Sequence, residues 1–282
     1  MKTTREGFTF IELLMILLLG MILLGAVYDT MIKQEHAYGL MNAVAGTQHD
    51  ARLGIDLLTS ELRELSSGGG DLLMATGDSV RIRALRKFGL VCTKNKPGNK
   101  LTVARMGVGH LSVGDSILVY VDQDSLKAAD DIWQRAYVSS VTSTTLCGTT
   151  LGINLALLFP TSDMVEVMVG NALRYDSIFA GAPVRSFETL TYRTGTISGE
   201  TWVQRVQSDT ITPLIGPVPA TNGFKVSYYD TLGIALTAFP LSAADREGVH
   251  RMRIEIRARR RAGTPGTTYT DSLITDIYLR GS

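Results

Sequence analysis

The chain begins with one long apolar run. From Phe8 to Tyr28 the only charged residue is Glu12. As a helix this run of about 21 residues would span roughly 31 Å, which matches the hydrocarbon core of a bilayer. The pattern therefore predicts a membrane-spanning helix over residues 8–28.

The helical pattern continues beyond the apolar run. No proline interrupts residues 8–65, and charged residues such as Glu61 occupy several faces of the predicted helix. Four apolar residues recur at a spacing that places them on one face: Ile55, Leu58, Leu62 and Leu65. The sequence Ser-Ser-Gly-Gly-Gly at 66–70 then ends the helix. We predict an amphipathic extension over residues 29–66, with one side packed on a globular head.

The remainder, residues 67–282, changes to short segments of alternating polar and apolar residues, separated by turns rich in Gly, Pro and Asn. The segments cover residues 80–84, 100–104, 116–121, 136–141, 164–169, 189–193, 202–207, 223–229, 252–258 and 272–279. They predict a mostly antiparallel β head, made of one unit or of two subdomains. The fold class is therefore α+β, with a long N-terminal helix packed on the head.

Charge and cysteine content limit the chemistry that the head can carry. The formal net charge of +1 indicates neither a nucleic-acid-binding protein nor a strongly acidic one. The two cysteines, Cys92 and Cys147, either form a disulfide or lie as two separate buried thiols. No CxxC motif accompanies them, so a catalytic thiol is the weaker interpretation.

The sequence offers no good metal site. The four histidines, at 36, 49, 110 and 250, lack the spacing of metal ligands. The aspartates at 122, 124, 130 and 131 do not follow the EF-hand pattern and are typical of a solvated loop. There is also no catalytic triad and no phosphate-binding loop, so we expect no cofactor, no metal and no enzymatic activity.

Glu12 needs an explanation, because a carboxylate in hydrocarbon costs a few kcal/mol. A cleaved secretory signal would have a shorter apolar core followed by a small-x-small cleavage site, which is missing after Tyr28. An uncleaved signal anchor would leave Glu12 unexplained. The positive charges of Lys2 and Arg5 before the apolar run favour a cytoplasmic N-terminus and an exported head.

The residues Gly7-Phe8-Thr9-Phe10-Ile11-Glu12, after a short charged leader, resemble the class III signal of type IV prepilins and type II secretion pseudopilins. The resemblance implies that prepilin peptidase removes the leader, residues 1–7, by cutting after Gly7. It also implies that Phe8 is then N-methylated and that the apolar helix forms the core of a filament.

In such a filament Glu12 can pair with the new α-ammonium group of a neighbouring subunit. This pairing would set the register between packed helices, whereas the alternative is that Glu12 merely snorkels to the membrane interface.

The C-terminal third carries a looser resemblance, to PilW-type minor pilins and J-type pseudopilins, in residues 222–230, 249–256 and 277–280. It implies a minor subunit that initiates or caps a type IV pilus. The expected partners are prepilin peptidase, other minor pilins, the major pilin, the inner-membrane assembly platform and membrane lipid. The expected location is the inner membrane with a periplasmic head, and later the filament. The alternatives are a J-type pseudopilin of type II secretion, or a membrane-anchored periplasmic binding protein or enzyme with a chance motif.

A basic stretch lies near the C-terminus. With a period of two, Arg251, Arg253, Arg257 and Arg259 share one face of the predicted strand. This face is either a solvated or edge-protecting surface or a contact for DNA. Because the stretch is short and lacks interleaved aromatic residues, the DNA contact is disfavoured.

Overall fold

One long helix, α1, leads into a β-rich head. The computed structural model describes residues 9–107, 109–124, 126–127, 131–144, 147, 149–150, 153–154, 163–171, 173–262 and 267–280. Helix α1 runs from Phe10 to Leu62, which corresponds to about 80 Å. It ends four residues before the predicted end at residue 66, because the chain turns there and the carbonyl of Leu65 accepts a hydrogen bond from the N–H of Arg280.

The elements of the head, in the part of the chain that the structure describes, follow in this order. They are β1 Leu72–Ala75, β2 Ser79–Asn95, β3 Lys100–Arg105, β4 Ser116–Val121, β5 Ile132–Ser143, β6 Thr149–Thr150, β7 Ile153–Asn154, β8 Met164–Val169, β9 Pro183–Ile197, β10 Glu200–Gln207, β11 Thr210–Ile215, β12 Phe224–Tyr229, β13 Ala235–Leu236, α2 Ala243–Glu247, β14 Arg251–Arg261 and β15 Thr268–Tyr278.

The larger sheet has nine antiparallel strands in the order β1-β2-β3-β8-β5-β4-β9-β10-β11. Strand β2 also pairs with β9, so β2, β3, β8, β5, β4 and β9 form a closed ring, called the barrel below. Its interior is filled by apolar side chains such as Val91, Val103, Ile117, Val167 and Val184. Closure leaves none of these six strands with a free edge inside the ring.

A second apolar cluster, called the helix core, lies where α1 meets the head. The smaller sheet, in the order β13-β12-β14-β15, packs against α1 together with β1, β10, β11 and one half each of β2 and β9. The predicted helix face is confirmed, because Ile55, Leu58, Leu62 and Leu65 are all buried there. The long strands β2 and β9 therefore contribute to both the barrel and the helix core.

Helix α1 approaches the head closely at a small residue. A Cβ atom added to Gly54 would overlap the side chain of Ile215 on β11, which is itself fully buried. The buried positions before Gly54 are also small: Ala43, Thr47 and Ala51. Small side chains on this face allow the helix backbone to lie near the sheets.

Each of the ten predicted β segments overlaps a strand of the structure, and two segments, 116–121 and 164–169, match β4 and β8 in full. Five strands lie outside the predicted segments: β1, β6, β7, β11 and β13. Strand β11 contains Pro213, which has no N–H to donate. The structure places β11 at an edge of the larger sheet, where a missing N–H is tolerated.

Candidate functional site

The N-terminal part of α1 exposes its apolar side chains. An 18-residue window of the helix has a mean hydropathy of 2.7, and none of that window is buried. Gly7 and Phe8 lie outside the described residues, which begin at Thr9. The helix is therefore long and apolar enough to cross a membrane, and its first buried position is Ala43.

Glu12 lies exposed in the first turn of α1. Thr9 caps the helix, and its Oγ1 atom accepts a hydrogen bond from the N–H of Glu12 at 3.4 Å. A threonine followed three residues later by glutamate is the sequence signature of a capping box, so the sequence alone contains the signal for this contact. A carboxylate in the first turn also interacts favourably with the helix dipole.

The C-terminal end of α1 is attached to the head through one carboxylate. Glu61 lies 3.2 Å from the guanidinium of Arg86 on β2 and 3.6 Å from that of Arg205 on β10, and it accepts a hydrogen bond from the Tyr192 hydroxyl on β9. Arg86 also bonds Glu188 at 2.8 Å. One helical side chain thus holds three strands of the larger sheet.

The surroundings of this carboxylate change the acidity of its tyrosine partner. Burial raises the pKa of Tyr192 well above its ordinary value, and the hydrogen bond to Glu61 and the charge of Glu61 raise it further. Tyr192 therefore stays protonated and acts only as a donor toward Glu61. Sequence reasoning missed this group of contacts, because Glu61 reads as an ordinary polar position of an amphipathic helix.

The basic strand β14 alternates as predicted, with Met252, Ile254, Ile256 and Ala258 buried and the arginines on the other face. The arginines are paired with carboxylates: Arg251 and Arg253 with Asp276, Arg257 with Glu255, and Arg259 with Glu200, at 2.5–3.4 Å. Hydrogen bonding to Arg253 lowers the pKa of Asp276. These pairs compensate much of the positive charge of this face.

Strand β14 contains no aromatic residue, but the neighbouring strands β12 and β15 place tyrosines beside its arginines. The guanidinium of Arg251 lies 3.9 Å from the ring centroid of Tyr229 on β12, and Tyr278 on β15 is the register partner of Arg251. The sequence did not reveal this arrangement, because both tyrosines lie far from Arg251 along the chain. The paired charges still favour a solvated sheet face over a DNA contact.

Cys92 and Cys147, which are 55 positions apart in the sequence, form a disulfide. The bond lies beside Ala104 and Met164 in a small buried cluster next to the barrel. Within the described residues, no group of three or more His, Cys, Asp or Glu side chains could hold a metal ion. Asp130, one of the four aspartates considered above, lies outside the described residues.

Comparisons with family models, with curated proteins and with solved structures found no match to this chain. The functional argument therefore depends on the residues and contacts described above.

Proposed function

We propose that this chain is a minor type IV pilin of the PilW type, which is cut after Gly7, N-methylated at Phe8 and inserted into a filament through α1. The observation that supports this function is the division of α1 into two parts. From Phe10 to Tyr28 the side chains exposed on the helix are apolar apart from Glu12, whereas the part from Ala43 to Leu62 buries one face under the head. Such a helix needs lipid or other helices around its first part.

Cleavage at Gly7 provides a chemical partner for Glu12. The new α-amine has an ordinary pKa of about 8 and is largely cationic at neutral pH. Within a bundle of helices this ammonium group can pair with the Glu12 carboxylate of a neighbouring subunit, so that neither charge lies alone in an apolar environment. The chain is then a substrate of prepilin peptidase and its methyltransferase activity, and has no catalytic role of its own.

The head would be exported to the periplasm and would contact other minor pilins, the major pilin or the assembly platform. The related assignment, a J-type pseudopilin, differs in the filament that is built. Deleting the gene separates the two: loss of surface pili with normal export supports the pilin, and loss of export with normal pili supports the pseudopilin.

Mass spectrometry of the mature N-terminus tests the proposal. The chain is expressed with and without an active prepilin peptidase, and the expected product with the peptidase begins at N-methylated Phe8. A Gly7→Leu variant serves as the matched control and should remain uncut both in cells with the active peptidase and in cells without it. An intact N-terminus beside the active peptidase, or a cut after Tyr28, would contradict the proposal.

A further inference from the structure

Strand β15 has a long outer edge that no other strand of the described chain covers, because the smaller sheet ends there. The other three edges of the two main sheets are short or interrupted: β13 has two residues, β1 has four with an irregular register, and β11 contains Pro213. Strand β15, in contrast, has eleven residues and no proline. Proteins usually shorten or cover such edges, because exposed backbone donors and acceptors can pair with another strand. The edge of β15 is therefore a candidate interaction surface.

Alternate backbone amides of β15 point away from β14. The N–H of Leu279 donates to the carbonyl of His250 on the β14 side at 3.0 Å, so every second amide before Leu279 also faces β14. The N–H of Arg280 points the other way and donates to the carbonyl of Leu65 at 3.0 Å. The amides in line with Arg280, including that of Ile274, therefore face outward. The bond to Leu65 shows that the outer side of β15 accepts a backbone partner at its end.

A small cavity of about 100 Å³ lies between this edge and α1. Three residues of the helix and three of the strand line it: Gln48, Ala51, Arg52, Asp271, Ser272 and Leu273. The carboxylate of Asp271 already accepts a hydrogen bond from the Gln48 amide at 3.3 Å. Arg52 is exposed and has no hydrogen bond or ion pair to any residue that the structure describes. The unpaired charge at the cavity is therefore positive and would attract a carboxylate.

A second copy of the chain does not fit this edge. Gln48 contacts Asp271 and Leu65 contacts Arg280, so β15 runs in the same direction as α1. A two-fold symmetric pair of β15 strands would be antiparallel and would point the two α1 helices in opposite directions. Two chains anchored by α1 in one membrane cannot form such a pair. The edge therefore suits a strand from a different protein.

We propose that the outer edge of β15 binds an extended, acidic segment of a partner protein, which adds to the smaller sheet as a further strand. The backbone groups of the segment would pair with those of the edge, which is a general way of recognising extended peptides. A carboxylate of the segment would pair with Arg52. Apolar side chains on its other face would cover Ile274 and Tyr278, which are 55% and 59% exposed. The surface lies on the head, so it does not depend on the proposed cleavage or filament assembly.

Binding of a labelled synthetic peptide tests the proposal. The probe has the sequence of residues 268–278, because this stretch contains two aspartates and its pairing with β14 shows that it fits an edge of this sheet. Fluorescence anisotropy with the full chain in detergent micelles should show saturable binding. The same peptide N-methylated at the positions of residues 272 and 273 lacks one donor on each side of the strand, and it should bind about tenfold more weakly. No saturable binding of the unmodified peptide, or equal binding of the two peptides, would overturn the proposal.

Two variants of the chain show whether the edge and Arg52 hold the peptide. Ile274→Pro removes an outward N–H but no bond to β14, and it should weaken binding about tenfold, whereas Ile274→Thr keeps that N–H and should bind within about threefold of the wild type. Arg52→Glu should also weaken binding about tenfold. Arg193→Glu, at an exposed position of the larger sheet, is its matched control and should bind normally. Normal binding by Ile274→Pro or by Arg52→Glu, or equal losses in the matched controls, would contradict the assignment.

Sedimentation of the wild-type chain in the same micelles distinguishes a partner strand from a second copy. We expect one chain per micelle, because the edge of one chain does not suit that of another in the same membrane. A dimer that Ile274→Pro abolishes would assign the edge to a second copy and would overturn the proposal.

Discussion

The hydroxyl of Tyr192 donates a hydrogen bond to the carboxylate of Glu61, and this contact joins the last turns of the long helix to the middle of β9. Tyr192 is fully buried, and Glu61 is also approached by two guanidinium groups. Buried polar groups of this kind are costly when one partner is removed. The attachment of the head to α1 should therefore be sensitive to this single helical residue.

Replacing Glu61 with Ala should lower the free energy of unfolding of the head by about 2–4 kcal/mol, because the buried Tyr192 hydroxyl loses its acceptor and two guanidinium groups lose an ion-pair partner. Urea denaturation of the full chain in detergent, followed by tryptophan fluorescence, measures the change. Glu64→Ala, an exposed carboxylate three residues further on, should cost less than about 0.5 kcal/mol. Similar losses in the two variants would show that Glu61 has no special role.

Replacing Gly54 with Ala should destabilise the head by about 1–3 kcal/mol, because the new methyl group overlaps the buried side chain of Ile215. Gly25→Ala provides a control on the same helix, since a Cβ atom at Gly25 meets nothing within 4 Å. Gly25→Ala should leave the unfolding of the head unchanged. Thermal unfolding of both variants checks this pair, and a stable Gly54→Ala variant would mean that the helix does not approach β11 so closely.

Glu12 has two candidate roles, which one substitution separates. Glu12→Gln keeps a side chain that suits the capping box but removes the charge, whereas Glu12→Val removes both. If pairing with the ammonium group of a neighbour is the role, both variants should insert and be cleaved yet enter filaments poorly. Quantifying the chain in sheared filaments by immunoblot measures this. Normal incorporation of Glu12→Gln would assign the residue to capping instead.

Asp71 should make the stability of the head depend on pH. Burial raises the pKa of Asp71 above its ordinary value of 3.8, although the charge of Arg185 acts in the opposite direction. A raised folded-state pKa favours the protonated form, so its contribution is present below pH 3.8 and is lost as the pH rises through the folded-state value. Asp71→Asn mimics the protonated form.

The wild-type chain should therefore lose stability relative to Asp71→Asn as the pH rises from the unfolded-state value of 3.8 through the raised value. Urea denaturation of both chains at a series of pH values measures the difference between their free energies of unfolding. A difference that stays constant, or that changes in the opposite direction, would show that the ion pair with Arg185 outweighs burial.

The helix and most strands could be predicted because buried apolar residues recur with a different period in a helix than in a strand. Leu58 and Leu62 lie one helical turn apart and are both buried, and Met252 and Ile254 alternate with arginines as the strand pattern requires. Closure of the barrel could not be predicted, since alternation indicates which face is buried but not which distant strand is the neighbour. Glu61 has the pattern of an ordinary surface charge for the same reason: its partners Arg86, Tyr192 and Arg205 come from strands that lie far away in sequence.

The pairing of β2 with β9 places Leu85 opposite Phe187, so the chain enters and leaves most of the barrel at adjacent points. Opposed residues of antiparallel strands are about 5 Å apart, a gap that a two-residue hairpin turn can close. The barrel is thus an insertion carried by a smaller helix-and-sheet module. A shortened chain with such a turn should keep the helix core, but it would lose Arg86 and with it one of the two guanidinium partners of Glu61.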